Sequence, residues 1–169
     1  MEAFEAILSR RSVRKFKPDG IPEELIIKLI EAGAAAPSAC NKRPIRLYAI
    51  TNGEMREALD KAGFFTKMPS PLVIVVAGDM NKTLPRSMSD YWIQDAAAAT
   101  ENILIAATAA GLGSCWNGVY LQKRVMDKVA EVLSLDESVV PFSLIHVGYP
   151  DEEHPPHAGY DPDAVTFIN

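Results

Sequence analysis

Three short stretches of the chain carry groups fit for chemistry. The first is Arg10-Arg11-Ser12-Val13-Arg14. Guanidinium forks and a hydroxyl this close together can hold a phosphate from several sides. Charge-assisted hydrogen bonds of that kind contribute about 1.5–3 kcal/mol each when buried. The second is Pro37-Ser38-Ala39-Cys40-Asn41-Lys42-Arg43-Pro44, a loop of small residues stiffened by prolines. Its Asn41 offers both a donor and an acceptor, which suits the edge of a heterocycle. The third is Gly111-Leu112-Gly113-Ser114-Cys115-Trp116-Asn117-Gly118. Glycines there let the backbone approach a flat ligand with its N–H groups facing it. Taken singly, each stretch also fits a plainer role: a solvated basic face, a turn, and a helix C-cap at Gly111 followed by a turn.

The rest of the chain excludes other chemistries. Three histidines, His146, His154 and His157, all lie late in the sequence and make no triad-like pattern. Cys40 and Cys115 form neither a disulfide framework nor a zinc site, and both read as inert small hydrophobes. No GxGxxG follows a strand, and no GxxxxGK[ST] occurs, so nucleotide fingerprints are absent. GLGSC at 111–115 follows a helix and lacks the third glycine.

Composition narrows the class further. The chain has 169 residues, 48% of them hydrophobic and 23% charged, which fits one ordinary domain spanning 1–169. A domain of this size buries about 70% of the surface its unfolded chain exposes, so it needs no metal or disulfide to fold. The net charge is −5, yet residues 1–17 hold five basic side chains against two acids. An acidic chain with one short basic cluster is a poor nucleic-acid binder and a better grip for one small anion. No apolar run approaches the roughly 18 residues of a membrane span. The start, MEAFEAILSRRS, lacks the basic opening and apolar core of a signal peptide, so a cytoplasmic protein is expected.

The elements that must position these stretches follow from periodicity. A short helix is expected over 2–9, with Phe4, Ile7 and Leu8 on one side. Pro22 opens a helix over 22–35 with the stripe Leu25, Ile26, Leu29, Ile30, and Pro37 stops it. Strands are expected at 45–51, 71–78 and 142–149, the second a continuous β-branched run typical of a central strand. Helices are expected at 54–62, ended by Gly63, and at 90–110 and 121–133. The tail from Asp151 is rich in proline and acids and closes with an extended piece, AVTFI. Between Asp90 and Gly111 stand eight alanines, four of them consecutive. A helix so apolar nearly all round needs cover nearly all round, which one small chain can hardly give. A second copy across a two-fold axis is the expected cover.

Taken together, RRSVRKF, APSACNKRP, the long helix ending in GLGSCWNG, and LIHVGYP resemble, in that order, the nitroreductase family of FMN-dependent oxidoreductases. The resemblance runs from about residue 4 to residue 150. It implies an α+β, three-layer fold with a central mixed sheet flanked by helices, assembled as a homodimer with FMN at the subunit interface and the tail 151–169 packed on the partner. It implies that Arg10 and Ser12 bind the FMN phosphate with Arg11 beside them, and that Arg14 lies near the pyrimidine edge of the flavin. Pro37, Ser38, Ala39 and Asn41 would reach the ribityl chain and ring from the partner subunit. Cys115, Trp116, Asn117 and Gly118 would line the flavin with backbone amides. Hydride would pass from NAD(P)H through flavin N5 to a nitroaromatic- or quinone-like acceptor, in a ping-pong scheme with no catalytic side chain. Two alternatives stay open: a specialised flavin reaction such as enone reduction or dehalogenation, and a flavin-binding redox module with little turnover.

The sequence also departs from its relatives. Arg43 stands where they commonly carry Gln, and would add charge at the substrate mouth or face solvent. Relatives usually supply a basic residue after the last strand to complete the phosphate site. This tail has none, and His157 is the candidate stand-in, with a charge that varies near neutral pH. The connection at 79–89 is short, which predicts an open pocket or a lid built from Phe64, Phe65 and Met68. Those three side chains fit core packing equally well.

Overall fold

The computed structural model describes residues 1–155 and 159–168. His157 lies outside the described residues. Nine regular elements carry the fold. They are α1 (Ala3–Ser9), α2 (Glu23–Ala34), β1 (Ile45–Ile50), α3 (Gly53–Asp60), β2 (Leu72–Asp79), α4 (Tyr91–Ala109), β3 (Gly113–Gly118), α5 (Lys123–Leu133) and β4 (Val139–Gly148). The strands form one sheet in the order β1-β2-β4-β3. Every pair of neighbours is antiparallel, which corrects the expected mixed sheet. The parallel element among the described residues is a single bridge, Ser12 to Ser114.

The β-branched run forms the centre. All eight residues of β2 are buried. Its side chains alternate between two cores, as the pleat dictates. Leu72, Ile74 and Val76 join α2 and α4 on one face, packing with Leu29, Ala96, Ala99 and Ile103. Val73 and Val75 join α3 and α5 on the other, packing with Leu59, Val125 and Val129. The three layers expected from the resemblance are therefore present. Pro141, which has no N–H to give a ladder, sits where the β2–β4 register slips between Val76 and Ala77.

Helix ends follow local chemistry. The Asn52 side chain accepts from the Met55 N–H at 3.0 Å and starts α3. The C-cap of α4 is Ala110, and Gly111 just past it, at φ 76°, supplies the left-handed turn that ends the helix. One expectation fails here. Residues 113–118 form an edge strand where the sequence suggested a loop, because β4 offers a partner along its whole length. The apolar side of α1 stays uncovered in the single chain: Phe4 is 82% exposed and only Ala6 is buried. The tail closes with a single turn at Pro162–Ala164, and Phe167 and Ile168 are exposed. Among the described residues, no helix is long and apolar enough to cross a membrane.

One buried group ties stability to pH. His146 on β4 has no exposed surface, and its Nδ1 lies 3.2 Å from Ser70 Oγ and 3.8 Å from Asp60 Oδ1. Burial pushes its pKa down from 6.5 to about 4. Between those values the unfolded chain binds a proton that the folded chain refuses. Stability from this group is therefore present above about pH 6.5 and falls as the pH drops toward 4. The expected loss between about pH 7 and pH 5 is about 2 kcal/mol. Urea unfolding at the two values should show it in the natural chain, and His146→Gln should remove most of it. Equal losses in both proteins would contradict the assignment.

Candidate active site

The first and third stretches meet through backbone. Val13 N–H donates to the Ser114 carbonyl at 3.0 Å, so residues 12–14 run along the outer edge of β3. Gly113 makes that approach possible. A Cβ there would lie 2.7–2.9 Å from the branched side chain of Val13. The same segment then crosses the end of β4, where Phe16 bridges Pro150 and Lys17 N–H donates to the Tyr149 carbonyl at 2.9 Å.

Strand alternation divides the amides of β3. The Ser114 carbonyl faces Val13, so the backbone groups of Trp116 and Gly118 point the same way, off the sheet edge. Gln122 Nε2 donates to the Gly118 carbonyl at 2.7 Å from that side. The amides of Cys115 and Asn117 face β4 instead, in register with His146 and Leu144. Beside the edge lies a cavity of about 450 Å³ whose wall includes Arg14, Phe65, Lys67, Met68, Asn117 and Gln122. Cys115, Trp116 and Gly118 complete it. Asn117 is buried, and its Nδ2 has no hydrogen-bond partner. A buried donor left unpaired is unfavourable by about 1–3 kcal/mol, and this one belongs to a residue that lines the cavity.

The basic stretch is not uniform. Arg14 lines the cavity, and its Nη1 donates to the Ser12 carbonyl at 3.2 Å. Arg10 Nε lies 3.5 Å from Glu101 Oε1 on α4. Arg11 is engaged with backbone: it donates to the Leu8, Arg10 and Pro155 carbonyls. Burial pushes the Cys115 thiol up, so it stays protonated near neutral pH. The tail reaches this region with an acid. Glu152 Oε1 accepts from the N–H groups of Arg14 at 2.5 Å and Lys15 at 3.1 Å, and those bonds hold its pKa down.

The second stretch lies elsewhere in the chain. Pro37 and Ser38 line a separate cavity of about 230 Å³ between α2, β1 and α4. None of Pro37, Ser38, Ala39 and Asn41 lines the Arg14 cavity. The loop is held tightly all the same. The Ala39 N–H donates to the buried Asp95 carboxylate at 2.9 Å, and the Arg43 N–H to Ser38 Oγ at 2.9 Å. Cys40, Asn41 and Arg43 all have left-handed backbone, with φ between 48° and 54°. Three such residues within four positions are unfavourable and persist only where the surroundings fix them. Arg43 Nε donates to Asn41 Oδ1 at 2.8 Å, so it orients Asn41.

Several contributors had no signal in the sequence reading. Asp95 sits inside an alanine-rich helix, Gln122 follows a turn, and Glu152 belongs to an acidic tail. Only their place in the fold brings them to these loops. Phe64 and Phe65 prove exposed, at 90% and 72%, while Met68 is buried against the cavity.

Comparison with known proteins identifies the family. The model of the nitroreductase family matches residues 7–66 and 61–149. A protein of Methanothermobacter thermautotrophicus, provisionally named NADH dehydrogenase/NAD(P)H nitroreductase, is 36% identical over 98% of this chain and 86% of its own. The crystal structure of a similarly named protein from Parabacteroides distasonis superposes with a TM-score of 0.91 at 34% identity, covering 99% of this chain and 98% of that one. An FMN-dependent nitroreductase from Clostridium difficile gives a TM-score of 0.87 at 29% identity, over 98% and 99% of the two chains. With its fold, its ordered motifs and these matches in agreement, the chain belongs to the nitroreductase family.

Proposed function

We propose that this protein is an FMN-dependent oxidoreductase that carries hydride from NAD(P)H to an electron-poor acceptor of the nitroaromatic or quinone kind, as a homodimer. One observation carries the reading: Arg14, the unpartnered Asn117 amide and the edge amides of Trp116 and Gly118 converge on one cavity beside β3. A flat, hydrogen-bonding, electron-accepting ring fits that donor set. When bound, FMN supplies the hydride relay between two substrates that visit in turn.

The chain's own residues bind and orient. Arg10 and Ser12 are assigned to the phosphate, with Arg11 holding the segment and tail in place beside them. Glu101 is only half-buried, so its hold on Arg10 is weak and leaves the guanidinium available. Arg14 sets a fixed positive potential that favours an electron-rich occupant. The Asn117 Nδ2 and the Trp116 and Gly118 N–H groups would donate to the ring and hold it at the β3 edge. Cys115 packs behind them as a protonated thiol. Pro37, Ser38, Ala39 and Asn41 act on the partner subunit's site, their loop held rigid by Asp95 and Arg43.

Exposed apolar surface supports the second copy. Phe4 and Leu8 on α1 and Phe167 and Ile168 in the tail are 64–93% exposed. Along α4, Ala97, Ala98 and Ile105 are only partly covered. Sedimentation at twice the 18.4 kDa chain mass is expected, and a flavin-loaded monomer would contradict it. Turnover is tested with FMN-loaded protein, NAD(P)H and a quinone. Parallel reciprocal plots are expected, and flavin retention without NAD(P)H oxidation would leave only the binding-module reading.

A further inference from the structure

A second cavity adjoins the first. It holds about 410 Å³ and is walled by Lys61, Phe64, Gln122, Lys123, Arg124 and neighbouring backbone. Gln122 lines both cavities, and Phe64 and Phe65 stand between them, one in each wall. The two rings meet edge to face at 5.1 Å and present themselves to solvent. Among the described residues, no acidic side chain lines either cavity. That is notable in a chain whose net charge is −5.

The cations here are not all neutralised. Lys61 is paired with Glu57 at 2.6 Å and Lys123 with Asp127 at 2.8 Å. Lys67 and Arg124 make no ion pair among the described residues, and they flank the two phenylalanines. Exposed aromatic rings between unpaired cations are what a nucleotide needs: faces for a purine and charge for a phosphate.

We propose that Phe64 and Arg124 in the second cavity, with Lys67 on the wall of the first, form an anion-binding subsite at the junction of the two that seats a phosphate and the purine of the hydride-donating dinucleotide. The proposal rests on the oxidoreductase reading above and names where the donor's far half binds. The phosphate has two possible sources: the diphosphate common to both dinucleotides, and the extra ribose phosphate that only NADP⁺ and NADPH carry.

Calorimetric titration of flavin-loaded protein with NADP⁺ and NAD⁺ tests it, because the oxidised nucleotides bind without turnover. Saturable binding that weakens with added salt is expected. Arg124→Glu should weaken it at least tenfold, and Lys67→Glu likewise; both side chains are exposed, so folding is not at stake. Loss confined to NADP⁺ assigns the ribose phosphate, and equal loss for both nucleotides assigns the diphosphate. No saturable binding in the natural chain, or binding that Arg124→Glu leaves unchanged, overturns the subsite. Hydride transfer from the neutral donor N-benzyl dihydronicotinamide in the natural chain reads the oxidoreductase step separately, since that donor has no phosphate. If it fails while NADP⁺ still binds, the oxidoreductase reading falls and the subsite stands.

Discussion

Asn117→Leu is expected to stabilise the flavin-free protein and to weaken its hold on FMN at least about tenfold. The two effects share one cause. Asn117 Nδ2 is buried on β3 without a partner, so the folded chain carries an unpaired donor. Leucine has nearly the same shape and no donor. It removes a desolvated polar group, and by the same act removes a hydrogen bond to any ligand in the cavity. A raised or unchanged melting temperature without flavin, together with the weaker dissociation constant, would bear this out. Loss of stability without flavin would mean that the amide has a structural partner. Unchanged FMN affinity would mean that its donor faces nothing.

Gly113→Val should have the larger effect on the site as a whole. A Cβ at 113 would lie 2.7 Å from Val13 Cγ1 and 2.8 Å from Val13 Cβ. Val13 is buried and β-branched, so it cannot swing aside. The clash must move residues 12–14 off the edge of β3, breaking the Val13 N–H to Ser114 bond. Overpacking of this kind costs about 1–3 kcal/mol in the fold. The functional loss is greater, because Ser12, Arg14 and the β3 amides lose their common frame. Flavin retention after desalting should vanish, and Val13→Ala in the same chain should restore part of it. Full flavin retention in Gly113→Val would refute the claim that this contact aligns the site.

The sequence disclosed the core more clearly than the site. The run 71–78 read as a central strand, and all of β2 is buried. The alanine-rich segment read as a long, mostly buried helix, and α4 packs on α2 and the sheet. By contrast, β3 was hidden. Its Gly, Ser and Asn residues have low strand propensity and no alternation. It is a strand because β4 pairs with it on one side and the 12–14 segment on the other, a tertiary effect that local pattern does not encode. The mixed sheet, which the resemblance implied, fails as well: all three neighbouring pairs are antiparallel.

The candidate site was legible in part. The types of Arg10, Ser12 and Arg14 declared an anion site, and Arg14 does line the cavity. Nothing local to RRSVR showed that Arg11 would reach the Pro155 carbonyl, or that Glu152 would return from the tail to accept from the Arg14 N–H. Both are contacts across more than a hundred residues of sequence. The resemblance likewise implied that all four residues of 115–118 turn their amides to one ligand. The pleat turns only alternate ones outward, leaving Trp116 and Gly118 at the edge.

The central claim is that the β3 edge and the Arg10–Arg14 segment form an FMN site. Its most direct test is the visible absorption spectrum of the purified protein after FMN is added and the excess removed. The account predicts flavin bands at close to one FMN per chain. A colourless protein after desalting, under conditions where it remains folded, would contradict it.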